Sequence, residues 1–176
     1  SDRPLSLIGR RYFSLVLPFV AALFVAMLGS AIARTMVDHD SIPAAPAVGQ
    51  VIAHAALLHS VLEVDSLSAG VWYVAIDFQL FVLLATLLYW ARSLGARFGH
   101  ADRFGLLMVA GLAVASLLYF NRIAAWDAWG VYFFGAYGLG VFAYWVSQQR
   151  RALPWLGLMF FVGVFALFLE FRLRIA

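Results

Sequence analysis

The stretch Ser66–Trp90, SLSAGVWYVAIDFQLFVLLATLLYW, decides what this chain can become. It is long and apolar enough to cross a bilayer, which takes about 20 residues of helix. It nevertheless holds Asp77 and Gln79 inside the apolar run. At about 1.5 Å of rise per residue, Asp77 lies roughly 10 Å in from a start near Gly70. A carboxylate at the bilayer centre costs on the order of 2.5–3.5 kcal/mol, so such groups face other helices or a wet cavity. Asp77 and Gln79 are two positions apart, about 200° around a helix, and point to opposite sides. A helix that must hide polar groups on two sides belongs in the middle of a bundle.

The rest of the chain agrees. Apolar residues make up 65% and charged residues 12% of the 176 positions, with a mean hydropathy of +0.92. Soluble domains sit near roughly 45–50% and about 25%. The sequence therefore predicts an all-α, polytopic transmembrane helix bundle whose surroundings are the lipid bilayer. On this reading the net charge of +3 and the pI near 9.6 report loop charges that set orientation, and give no sign of nucleic acid. The absence of cysteine excludes disulfides, thiolate catalysis and Cys-ligated metals. The opening SDRPLSLIGRR has neither the short apolar core nor the cleavage site of a signal peptide, and reads as the interior of a longer protein.

In chain order, a basic lead-in with Arg3, Arg10 and Arg11 feeds a charge-free first span, Tyr12–Ala33, with Pro18 near its start. Arg34–Ala47 reads as a loop holding Asp38, His39 and Asp40. Val48–Leu62 is apolar but short and carries His54 and His59, which suits a re-entrant or interfacial helix. The central span follows, then a basic loop, Arg92–Arg103. Further spans are expected at Phe104–Asn121, Val131–Gln149 and Leu153–Leu169, about five in all. The lead-in, the Arg92–Arg103 loop and the Arg150–Arg151 turn fall on one side, cytoplasmic by the positive-inside rule. Arg172 and Arg174 count against that scheme unless another span follows.

Several residues admit both a structural and a chemical role. Arg10 and Arg11 are either membrane anchors with snorkelling side chains or a phosphate clamp, since paired guanidinium forks suit phosphate geometry. His54 and His59, five apart, stand about 140° from each other on a helix and do not form one metal-binding face. They are either hydrogen-bonded interface histidines or, for His59, part of an active site beside the central span. His39 and His100 lie in loops, so no metal is expected. Gly130, Gly135, Gly138 and Gly140 stripe the fourth span, for close helix packing or for a slot that takes an acyl chain. Trp126 and Trp129 read as interface anchors.

Three segments carry a resemblance. Gly70-Val-Trp72-Tyr73-Val-Ala-Ile-Asp77-Phe78-Gln79-Leu80-Phe81 resembles the Trp-Phe-Leu-x-x-Glu-x-Gln-Phe-Tyr signature of the acyltransferase-3 family of bacterial membrane proteins. Gly9-Arg10-Arg11-Tyr12-Phe13-Ser14-Leu15-Val16-Leu17-Pro18 is similar to that family's Arg-Arg-x-x-Arg…Pro entry into a span. Val131-Tyr-Phe-Phe-Gly135-Ala-Tyr-Gly138 resembles its Phe-Phe-x-Gly segment. Family members have roughly ten spans and move an acyl group, often acetyl from acetyl-CoA, onto hydroxyls of surface or exported sugars.

The resemblance implies an O-acyltransferase of the bacterial inner membrane, with acyl-CoA as donor and a carbohydrate as acceptor. Residues 1–176 would form a single transmembrane domain, the middle part of a parent chain whose other helices lie before and after it. Arg10 and Arg11 would hold the CoA phosphates. Asp77, Gln79 and His59 would be the catalytic group, with Trp72 and Tyr73 lining the acceptor side. Three departures stand out. Ser14 replaces the third arginine of the family motif, and Asp77 stands where Glu is commoner. The family's catalytic histidine, ten intervening positions after a basic residue, has no match after Arg10 or Arg11, so this stretch by itself would be inactive. Asp77 is also expected nearer the outer face than the two arginines. A transporter or flippase fragment, with Asp77 as proton relay, and a non-catalytic membrane scaffold are the other readings.

Overall fold

A proline at the first helical position and a long apolar run produce α1, Pro4–Met36. It starts well before the expected Tyr12, so Arg10 and Arg11 are helical residues rather than loop residues. Pro18 sits inside it without ending it. Then come α2 (Val48–Ala55), α3 (Val71–Phe98), α4 (Ala101–Leu118), α5 (Gly130–Ser147) and α6 (Ala152–Leu169). Short 3-10 turns at Phe120–Arg122 and Ala124–Trp126 join α4 to α5. This computed structural model describes residues 4–37, 39, 42, 44–68, 70–99, 101–148 and 152–169. Among these, all regular structure is helical. Pro4–Met36, Val71–Phe98 and Arg103–Arg122 are long and apolar enough to cross a membrane. The molecule is a helical membrane bundle. Asp38, Asp40, His100, Arg150, Arg151, Arg172 and Arg174 lie outside the described residues.

Two expected boundaries move. The expected basic loop Arg92–Arg103 is mostly helix, because Ala-Arg-Ser-Leu-Gly-Ala-Arg-Phe contains no breaker strong enough to stop α3. The stop comes at Gly99, whose φ of 73° is the left-handed conformation that closes helices. Conversely, the expected short helix Val48–Leu62 ends at Ala55. Leu57 takes a left-handed φ of 57°, which a branched side chain adopts only where packing enforces it.

The contacts fall into two units, residues 1–85 and 86–176. In the first, Phe19 and Leu23 of α1 share a core with Leu57, Leu67, Val71 and Ala75. Tyr12 meets Phe78 edge-on, so the α1 contacts descend α3 as α1 ascends, and the pair is antiparallel.

In the second unit α4 and α5 approach closely. A Cβ on Gly135 would lie 2.5 Å from Leu117 Cγ, and one on Gly138 would lie 2.9 Å from Ala113 Cβ. These two glycines therefore serve packing and leave no slot of their own. The buried Ser116 hydroxyl donates to the Tyr132 carbonyl at 3.1 Å and accepts from the Gly135 amide at 2.8 Å. An apolar cavity of about 320 Å³ lies beside this seam, between α4, α5 and α6, walled by Leu106, Leu117, Phe142, Trp145 and Met159 among others.

Candidate functional site

The intramembrane carboxylate has found its partner. Arg11 Nη2 lies 2.6 Å from Asp77 Oδ2, a charge-assisted hydrogen bond between α1 and α3 across 66 residues of sequence. Both side chains are partly enclosed, 39% exposed for Arg11 and 27% for Asp77. The Arg11 guanidinium carbon also stands 5.7 Å from the centre of the Phe81 ring, one turn beyond Asp77 on α3. A cation over an aromatic face contributes about 0.5–1 kcal/mol at exposed sites and more when desolvated. Arg11 Nε is buried with no acceptor among the described residues.

This pairing corrects the expected geometry. Asp77 does not stand apart from the arginines; it meets Arg11 at one level. The reason is the early start of α1, which carries Arg11 about two turns into the helix before the chain reaches Tyr12. Arg10, one position away and so about 100° around, is exposed. The two guanidiniums therefore have different surroundings, one held by a carboxylate and one open.

The remaining candidates divide into two groups. Trp72 and Tyr73, 45% and 65% exposed, lie at the start of α3 with their rings edge to face at 6.0 Å. Gln79 is half-buried on the same helix. His59 is elsewhere, fully enclosed and stacked on His54 with ring centres 4.1 Å apart and planes 6° from parallel. The expected 140° separation presumed a helix through both positions, whereas α2 stops between them and the chain folds back. Spacing in the sequence held no signal of this stack, because a left-handed Leu57 creates it.

Hydrogen bonds fix the state of His54. Its Nδ1 is 2.7 Å from the Gln50 carbonyl, which can only accept, so Nδ1 carries the proton. Its Nε2 then accepts the Leu67 amide at 3.3 Å. His59 has no partner for either ring nitrogen among the described residues. Burial first, and then the neighbouring His54, push the His59 imidazole from its ordinary 6.5 down to about 4. The Tyr12 hydroxyl donates to the Ala55 carbonyl at 2.8 Å, tying α1 to the end of α2.

Comparisons with protein-family models, with curated proteins and with solved structures find no match. The reading of this site rests on its own chemistry. Among the described residues no cluster of three or more metal-ligating side chains forms. What the arrangement offers is a bound anion–cation pair at membrane depth, one open guanidinium beside it, and a dry pair of histidines.

Proposed function

We propose that this chain is part of a bacterial inner-membrane O-acyltransferase that transfers an acyl group, acetyl above all, from acyl-CoA to a hydroxyl of a surface or exported carbohydrate. The observation that carries the proposal is the Arg11–Asp77 contact. It joins two segments that resemble separate signatures of one enzyme family, from opposite ends of a long loop. An ion pair at membrane depth costs desolvation that a plain scaffold has no need to bear.

In the proposed reaction the sugar hydroxyl oxygen bonds to the acyl carbon of the thioester and the carbon–sulfur bond breaks. A general base takes the hydroxyl proton and returns it to the departing CoA thiolate. Arg10, exposed at the start of α1, supplies charge for CoA phosphates. Asp77 fixes the direction of the Arg11 fork, whose remaining donors serve the phosphate or the developing oxyanion. Trp72 and Tyr73 offer the exposed aromatic surface against which a sugar ring packs. The general base comes from the parent chain's other helices, because His59 is enclosed and far too weak a base for work near neutral pH.

The test uses the full-length parent in its own cell. Asp77→Ala and Arg11→Ala should each lower surface-glycan acylation at least about a hundredfold, the scale on which positioned charge acts. Membrane abundance is followed by immunoblot, and Arg11→Lys separates charge from fork geometry. Wild-type acylation in both alanine variants would overturn the assignment.

A further inference from the structure

The histidine stack is not needed for the acyl-transfer reading, and it raises its own question. Among the described residues this fully enclosed imidazole has no partner for either nitrogen, and burying a polar group without its hydrogen bond is costly. The turn that holds it is strained as well. Leu57 and Glu63, on either side of His59, both take left-handed backbone angles, at 57° and 53°.

The stack also closes a larger loop. His54 holds the Leu67 amide, Gln50 Nε2 donates to the Asp65 carbonyl at 2.8 Å, and Leu67 is packed into the core with Phe19 and Leu23. The segment from Ala56 to Leu67 is thus pinned to α1 and α2, and the pin at the Leu67 amide needs a neutral imidazole. His54 Nε2 can accept the Leu67 amide only while unprotonated. A proton on His59 would place a cation in an apolar core against that ring.

We propose that the stacked His54–His59 pair is an acid-sensitive latch, and that proton uptake by His59 releases the segment Ala56–Leu67 from α1. Among the described residues, the groups around it offer no counter-charge. From α2 the titratable neighbour is His54, which repels a proton on His59. From α1, Tyr12 is committed to the Ala55 carbonyl and Arg11 to Asp77 of α3. On the segment itself Glu63 and Asp65 are exposed. The neutral form is favoured when closed, so the closed state loses stability as pH falls from 6.5 towards 4 and is unaffected above 6.5.

Hydrogen exchange of the Leu67 amide in the full chain, in detergent or vesicles, tests the latch. Its protection factor, which already removes the intrinsic pH dependence of exchange, should fall about fiftyfold from about pH 7 to about pH 4.5. His59→Phe keeps an aromatic ring on the stack without a titrating group, and should leave protection level over that range. His59→Leu serves the same purpose should the larger ring fit badly. Carbon-13 resonances of His59 in the unaltered protein should titrate well below 6.5, together with the loss of protection. Constant protection in the unaltered protein, or an equal fall in both His59 variants, overturns the proposal. Neither outcome depends on whether the protein transfers acyl groups.

Discussion

Arg11 and Asp77 carry opposite charges but unequal risks when separated. An arginine near the start of a membrane helix can extend its alkyl stem and carry its charge towards the interface, whereas a short aspartate cannot. Arg11→Ala should therefore cost more than Asp77→Asn, about 3 kcal/mol against roughly 1 kcal/mol, in reversible unfolding from detergent micelles. The double variant should cost less than the sum, and simple additivity would mean that the contact contributes nothing. That Asp77 needed a protein partner was legible in the sequence, because its depth in the span follows from counting residues. That the partner is Arg11 was not legible: it depends on α1 starting at Pro4 and on how its turns register against α3. His59 shows the opposite case, with nothing in its spacing to announce the stack. Its lowered pKa does make a residue-scale prediction for global stability. The unfolding midpoint should hold steady above about pH 6.5, fall between there and about pH 4, and then level off for this group, a loss on the order of 3 kcal/mol. His59→Phe should remove most of that slope.

Among the described helices, α4 and α5 share the most extensive contact, and it rests on atoms that are absent. The glycine stripe was readable as a packing surface, since small residues at helical spacing permit contact between backbones. Which glycines matter was not readable, because that depends on the facing helix. A Cβ on Gly138 would lie 2.9 Å from the rigid Cβ of Ala113, whereas a Cβ on Gly140 would meet nothing within 4 Å. Gly138→Ala should cost about 1–3 kcal/mol as the helices are forced apart. Gly140→Ala should be neutral or stabilising by up to about 1 kcal/mol through helix propensity. Thermal unfolding of both, with Ala113→Gly as a compensating change for Gly138→Ala, checks the assignment; equal effects at the two glycines would defeat it. The same logic explains the misplaced boundaries. Arginines suggested a loop after Trp90, but charge alone does not end a helix, and Gly99 does. Apolar character suggested a longer α2, but the left-handed Leu57 turned the chain back into the core.

At the scale of the membrane, the direction in which α1 inserts decides which side the Arg11–Asp77 pair and the histidine stack are near. Arg10 and Arg11 lie near the first end of α1, and by the positive-inside rule that end is expected in the cytoplasm. The segment joining α1 to α3 folds back along α1, since the Tyr12 hydroxyl bonds the Ala55 carbonyl at 2.8 Å, so the stacked His54 and His59 stand near the level of Arg11. These 176 residues contain no cysteine, so a single introduced cysteine is the one thiol they contribute. Leu5, 79% exposed, marks the first end of α1, and the exposed Ala44 marks the joining segment. In intact cells a membrane-impermeant maleimide should label Ala44→Cys at once and Leu5→Cys only after permeabilisation. The reverse pattern would put the open Arg10 on the wrong side for the proposed use of CoA made in the cytoplasm.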